Sequence, residues 1–474
     1  MFQTLKNAWK TQELKTKLLF TLLIIIVYRL GSCIPVPWVD SELVATFFEN
    51  SFGSMQLIMG DAFSQANLFA LSVSPYITSS IIMQLLTIAI PALERLAQNG
   101  EEGKKKIATI TRVVTMVLAL VTAIGYSLTL VRPQYIPALG KTVSLANYGE
   151  LNVWFVVTVM TACFCAGAAL VMWLAEKINE FGIGNGISII LFANIIVRLP
   201  IVYEDLIYNI VKAPTTSTLI IDIVWALLIT AFLIALVYLI VWFTDSERRI
   251  PVQYAKRVVG RKMYGGQSSN LPLKLNMAGV MPVIFANSIV SIPQTLAMIW
   301  NTSSADGYYT GIAAFAQYYF NYTKPAYVVL SIVLLFAFAY FYIMISFNPV
   351  EVANNIRNNG GAVPGIRPGK PTSEYIRKIL NRITFIGAIF LCIVSEVPKI
   401  IVSIFATLAE CSGLSDAPGA VITAINNFYA NGSSAFMTVA FAGTSVLIVV
   451  GVILETVHEL ESQLTMRNYK GFLD

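Results

Sequence analysis

Apolar residues in this chain fall into long, nearly unbroken runs rather than at helical or strand spacing. A helix needs about 20 apolar residues to cross the hydrocarbon of a bilayer. The pattern predicts ten spans, near 18–34, 75–91, 107–131, 152–175, 187–203, 218–243, 277–300, 326–347, 383–405 and 435–457. The first, second and fifth are short, and the ninth is expected to be broken by Glu396, Pro398 and Lys399. Ten spans divide into two sets of five. An odd number per half turns the halves in opposite directions, as in inverted-repeat membrane proteins whose pathway lies between the halves. Pro75 and Pro91 bracket span two, and Pro282 and Pro293 lie in span seven, its counterpart in the other half. Interrupted helices at matching positions point to a pathway. The fold class expected is an all-α integral membrane protein of ten transmembrane helices in two inverted halves around a central pore.

Composition sharpens this. The chain is 56% hydrophobic and 12% charged, about half the charge of a soluble domain. With the N-terminus inside, most of the 32 Lys and Arg fall on inside segments, as the positive-inside rule requires. Both termini are then cytosolic. The segments expected are a cytosolic start (1–17), a first half (18–205), a second half (206–457) and a cytosolic tail (458–474). Leu30-Gly31-Ser32-Cys33 resembles a lipoprotein cleavage site, but Arg29 interrupts the apolar run and the basic segment before it is long, so an uncleaved first span is expected. Cys163 and Cys165 are two apart and do not share a helix face; they read as small packing residues. A Cys33–Cys411 disulfide outside the membrane is conceivable, and sequence does not decide it. His458 stands alone and reads as structural, since a metal site needs several ligands together.

Two inside loops, 244–275 and 348–382, are long and basic. Charges at their tips exceed what topology needs and would attract an anionic partner: lipid, RNA or an acidic protein face. Between spans one and two, Phe52–Ser74 mixes apolar with polar residues and is too short to span. It is expected to lie on the surface or to fold back as a re-entrant segment buried in protein. Energy-converting chemistry is not expected. Gly365–Thr372 fails as a phosphate loop on spacing and at Pro371, and Gly182, Gly184 and Gly186 do not make a dinucleotide fingerprint. Span interiors lack the Asp, Glu or His relay of ion-coupled pumps. Neither enzymatic activity, a cofactor nor a metal is expected.

Several motifs then carry a resemblance. Gly31-Ser32-Cys33-Ile34-Pro35-Val36-Pro37, Ser74-Pro75-Tyr76-Ile77, Gly182-Ile183-Gly184-Asn185-Gly186-Ile187-Ser188, Asn276-Met277-Ala278-Gly279-Val280, Phe347-Asn348-Pro349, Pro364-Gly365-Ile366-Arg367-Pro368-Gly369 and Gly443-Thr444-Ser445 occur in this order. The chain closely resembles, nearly end to end, the bacterial SecY family, channel subunits of the general protein-secretion translocon. The resemblance implies an hourglass channel whose waist is closed by an apolar ring at Val73, Ile77, Ile187, Leu191, Ile284 and Ile448. It implies a plug within 52–67 (Phe52, Met55, Leu57, Ile58, Met59 and Phe63) and a lateral gate with Thr78 and Asn287 near its seam. It implies a cytosolic docking surface at Arg248, Arg249, Lys256, Arg257, Arg261 and Arg367. Its partners would be the small membrane subunits SecE and SecG, the motor ATPase SecA, the translating ribosome, secretory precursors with signal peptides, and anionic lipid. The membrane would be the bacterial plasma membrane. The outer connections 301–324 and 396–434 depart from the common family pattern.

Two other classes compete with a passive protein-conducting channel. A secondary transporter of a small solute also uses inverted repeats and broken helices, but it would need charged or strongly polar residues clustered at mid-membrane. A scaffold that only recruits partners through its basic loops would not respond to substitutions in the ring.

Overall fold

The structure, a computed structural model, describes residues 2–41, 43–45, 47, 61–136, 141–197, 216–254, 257–259, 262–264, 268–299, 325–411 and 443–465, and the single residues 200, 204, 207, 211 and 319. A helix stands at each of the ten predicted places. In the first half these are α2 (Gln12–Ser32), α4 (Ser74–Ala89), α6 (Gly100–Val131), α7 (Val153–Phe181) and α8 (Gly186–Ile196). In the second they are α9 (Thr216–Thr244), α10 (Met281–Ile299), α11 (Pro325–Ser346), α13 (Lys370–Cys411) and α14 (Gly443–Thr465). Shorter helices are α1 (Phe2–Lys10), α3 (Asp61–Ser64), α5 (Pro91–Gln98) and α12 (Pro349–Asn358). Among the described residues six helices are long and apolar enough to cross a membrane, and a seventh if α4 and α5 form one span bent by 101°.

Local chemistry sets the boundaries. Pro75 sits in the first turn of α4, where its missing N–H costs nothing, so it starts the helix rather than kinking it. Pro91 starts α5 in the same way beyond the bend. Asn152, Asn185 and Asn348 each accept a hydrogen bond from the backbone N–H two residues on and cap α7, α8 and α12, which satisfies donors that a helix start leaves free.

The predicted break in span nine is not there. Helix α13 runs without interruption through Glu396, Pro398 and Lys399. The proline frees the carbonyl of Val394, four residues back, and Gly443 at the start of α14 comes down on it. A Cβ on Gly443 would lie 2.3 Å from Val394 O and 3.0 Å from Pro398 Cγ, so only glycine fits this approach. The two charges survive burial because they pair with each other, as described below.

The largest apolar cluster draws from both halves, including α2, α4, α8, α10, α13 and α14. A second cluster lies in the first half between α6, α7 and the segments flanking α3. The two basic loops are not separate. Strand β3 (Glu247–Tyr254) pairs antiparallel with β6 (Ser268–Lys274) on one side and with β7 (Gly361–Ala362), from the other loop, on the second. This three-stranded sheet buries Ile250, Val252 and Leu273 against Ile356, Val363 and Ile376. A short hairpin of β4 (Arg257–Val259) and β5 (Lys262–Tyr264) extends from it, and β1 (Pro133–Ile136) and β2 (Lys141–Ser144) form another after α6.

Candidate functional site

Four separate stretches supply the six aliphatic positions. Val73 is the N-cap of α4, and the N–H of Ile77 donates to its carbonyl at 2.9 Å, so the two residues are one helical turn apart on one face. Ile187 and Leu191 stand four apart on α8, Ile284 lies in the first turn of α10, and Ile448 lies on α14. Val73, Ile77, Leu191, Ile284 and Ile448 are buried members of the same apolar cluster, and Ile187 packs against it half-buried.

The described part of the re-entrant segment, residues 61–73, is folded into the protein rather than laid on a surface. Leu68 N donates to Ile34 O at 2.8 Å and Asn67 Nδ2 to Ser32 O at 2.5 Å. Phe69 stacks on Tyr28 with ring centroids 5.6 Å apart. Gly31 makes room for this: a Cβ there would fall 2.0 Å from the Phe69 ring. Phe63 is buried with its ring 4.8 Å from that of Tyr126, whose hydroxyl donates to the Phe63 carbonyl. Phe63 therefore belongs to the second cluster, and the structure does not bring it together with the six aliphatic residues. Phe52, Met55, Leu57, Ile58 and Met59 lie outside the described residues.

A closed polar triangle, which the sequence did not disclose, adjoins the aliphatic residues. Tyr28 OH donates to Asn194 Oδ1 at 2.7 Å, Asn194 Nδ2 donates to Ser72 Oγ at 2.8 Å, and Ser72 Oγ lies 3.2 Å from Tyr28 OH. Donors can run round it in one sense, so each hydroxyl gives and receives one hydrogen bond. All three side chains are buried. Ser72 has φ +47°, a left-handed backbone that costs a non-glycine residue roughly 1–3 kcal/mol and persists only where the surroundings hold it. Asn194 inside an apolar helix was the one available sequence signal. The turn at Ser72 and the approach of Tyr28 are tertiary and had none.

Helix α10 packs against both α4 and α6, bringing span seven onto spans two and three. Ser79 Oγ donates to Thr111 O at 2.8 Å and fastens α4 to α6. Thr78 is half-buried and returns its hydroxyl to Ser74 O in its own helix at 3.1 Å. Asn287 is half-buried on α10. Among the described residues no hydrogen bond joins Thr78 to Asn287.

Elsewhere in the second half, Lys399 Nζ donates to Glu396 Oε1 at 3.0 Å, with both side chains 2% exposed. Ser395 and Ser331 donate to the same carboxylate at 3.2 and 3.4 Å, and Lys399 lies 5.7 Å from the ring centroid of Tyr327. This fastens α13 to α11. The sequence reading of uncharged span interiors missed it, because residues expected to break a helix are instead paired inside one.

On the three-stranded sheet Arg248 and Arg249 are exposed, the latter paired to Glu247 at 2.6 Å. Arg367 is exposed in the other loop, its carbonyl accepting from Thr372 at 2.8 Å. Arg257 begins the β4–β5 hairpin, and Lys256 and Arg261 lie outside the described residues. His458 Nε2 is 3.3 Å from Asp245 Oδ1 and links α14 to the end of α9.

These features define a polytopic membrane protein whose two halves share one apolar cluster, with a strand pairing that joins its two basic loops. Comparison with known proteins makes the class specific. The SecY family profile matches residues 67–457. The chain is 40% identical to protein translocase subunit SecY of Streptomyces galbus over the full length of both, and 37% identical to that of Thermus thermophilus across all of this chain and 98% of that one. A solved protein-conducting channel superposes with TM-score 0.62 at 16% identity, covering 94% of this chain and 92% of the other. Sec61 from a canine ribosome–channel complex does so with TM-score 0.59 at 15% identity over the same shares. The chain belongs to the SecY family and has its channel fold.

Proposed function

We propose that this chain is a protein-conducting channel, passing unfolded secretory polypeptides across the membrane and releasing transmembrane segments sideways into lipid. The end-to-end relationship to SecY translocase subunits carries the reading most directly. It is supported by the gathering of Val73, Ile77, Ile187, Leu191, Ile284 and Ile448, from four distant stretches, in one apolar cluster. An aliphatic waist of this kind excludes water and ions by dewetting and yields around a passing chain. Residues 52–67 are proposed as the plug over it; a SecY protein of the same fold has a plug domain that stabilises the closed state and maintains a membrane seal.

The gate is assigned to the seam between α4 and α6 on one side and α10 and α11 on the other, with Thr78 and Asn287 beside it. The docking face is the basic sheet and its flanks, with Arg248, Arg249, Lys256, Arg257, Arg261 and Arg367. Relatives of this fold occur in complexes with the ribosome, and the chemistry of this face suits ribosomal RNA and the motor ATPase SecA alike. SecE, SecG and anionic lipid complete the partners. The membrane is the bacterial plasma membrane, with both termini and the sheet on the cytosolic side. The chain performs no catalysis itself; the work comes from the motor or the ribosome. Reconstitution into vesicles with the small subunits and SecA should render a secretory precursor protease-protected on addition of ATP. Failure of protection while the motor remains active would reject the reading.

A further inference from the structure

We propose that Tyr28, Ser72 and Asn194 are positioning residues that clamp the constriction shut from its first-half side. The inference rests on the channel reading above and assigns it a part that the aliphatic residues do not supply. Each member of the triangle is tied by the chain to one side of the waist. Ser72 immediately precedes Val73, which with Ile77 forms the entry face of α4. Asn194 lies three residues after Leu191 and seven after Ile187, so it shares their face of α8. Tyr28, on α2, holds both and itself belongs to the same apolar cluster. Separating Val73 from the Ile187–Leu191 face therefore pulls Ser72 from Asn194.

The device works through hydration. In a dry, closed waist the three groups satisfy one another, and a buried polar group that loses its partner is costly. In an occupied, wetted pore, water replaces whichever partner has left. Intact, the triangle favours the closed state. With one member removed, the closed state alone carries the unpaired group and the balance moves toward open. The backbone argues in the same direction. At φ +47° glycine would be the comfortable residue, yet the position holds a serine whose hydroxyl closes the triangle.

The test is resting ion conductance in planar bilayers, without motor or precursor, for the full chain reconstituted with its proposed small membrane subunits. Tyr28→Phe and Ser72→Gly should each raise it roughly tenfold, the shift expected for leaving one buried group unpaired in one of two states. Ser72→Gly separates the clamp from mere stability, because it relieves the backbone and on a purely structural account would not leak. Thr161→Val, which removes a buried hydrogen bond to Ser127 between α6 and α7, should stay at the wild-type level. Ile77→Asn serves as the positive control for the waist. Leakage by Ile77→Asn with none from Tyr28→Phe or Ser72→Gly would overturn the clamp and leave the channel reading standing. Equal leakage from Thr161→Val would overturn it as general loosening. Silence from Ile77→Asn would remove the waist itself and the clamp with it.

Discussion

At the scale of single residues, burying a polar or charged group is costly unless it is paired. Glu396 and Lys399 illustrate the rule with full charges. Removing one partner of a buried pair leaves a charge without compensation and costs about 3–5 kcal/mol, whereas replacing both is often close to neutral. Lys399→Met should therefore lower the thermal unfolding midpoint of the detergent-solubilised protein markedly, and Glu396→Gln with Lys399→Met should restore most of the loss. An unchanged midpoint for the single variant would mean that the pair is not buried as described. The same residues show where sequence reading stopped short. Lys and Glu beside a proline look like the end of a helix, because single residues are weighed before their partners are known. Ser331 and Tyr327, 65 and 72 residues away, make the difference.

At the scale of elements, helix existence was legible and helix continuity was not. Ten apolar runs correspond to ten helices, since hydrophobic length is a local property. The course of α13 through Pro398 depends on Gly443 reaching Val394 O from another helix, which no local pattern reveals. Strand β3 did leave a trace in the alternation of Ile250, Val252 and Tyr254. The two-residue β7 left none, so the joining of both basic loops into one sheet went unforeseen. The seam between α4 and α10 carries its own expectation. Under the proposed gate, an apolar signal helix enters where α10 packs against α4 and α6. Cross-linking the Thr78→Cys, Asn287→Cys double variant should abolish membrane integration of a signal-anchored substrate, with recovery on reduction. Undiminished integration by the cross-linked protein would place the exit elsewhere.

At the scale of the whole molecule, apolar packing from both halves meets in one cluster, and a strand pairing joins the two basic loops. The fold class followed from run lengths and charge bias alone. The six waist residues did not; each reads by itself as an ordinary core aliphatic, and only the family resemblance selected them. Their common cluster supports that selection, and the polar triangle of Tyr28, Ser72 and Asn194 lies beside them. Everything turns on whether that cluster is the barrier to ions. The direct measurement is the resting conductance of the reconstituted complex carrying Ile284→Asn, compared with wild type in the same bilayers. A polar group at the waist should wet it and produce a steady ion current at rest. A variant that inserts normally and remains as tight as wild type would contradict the account.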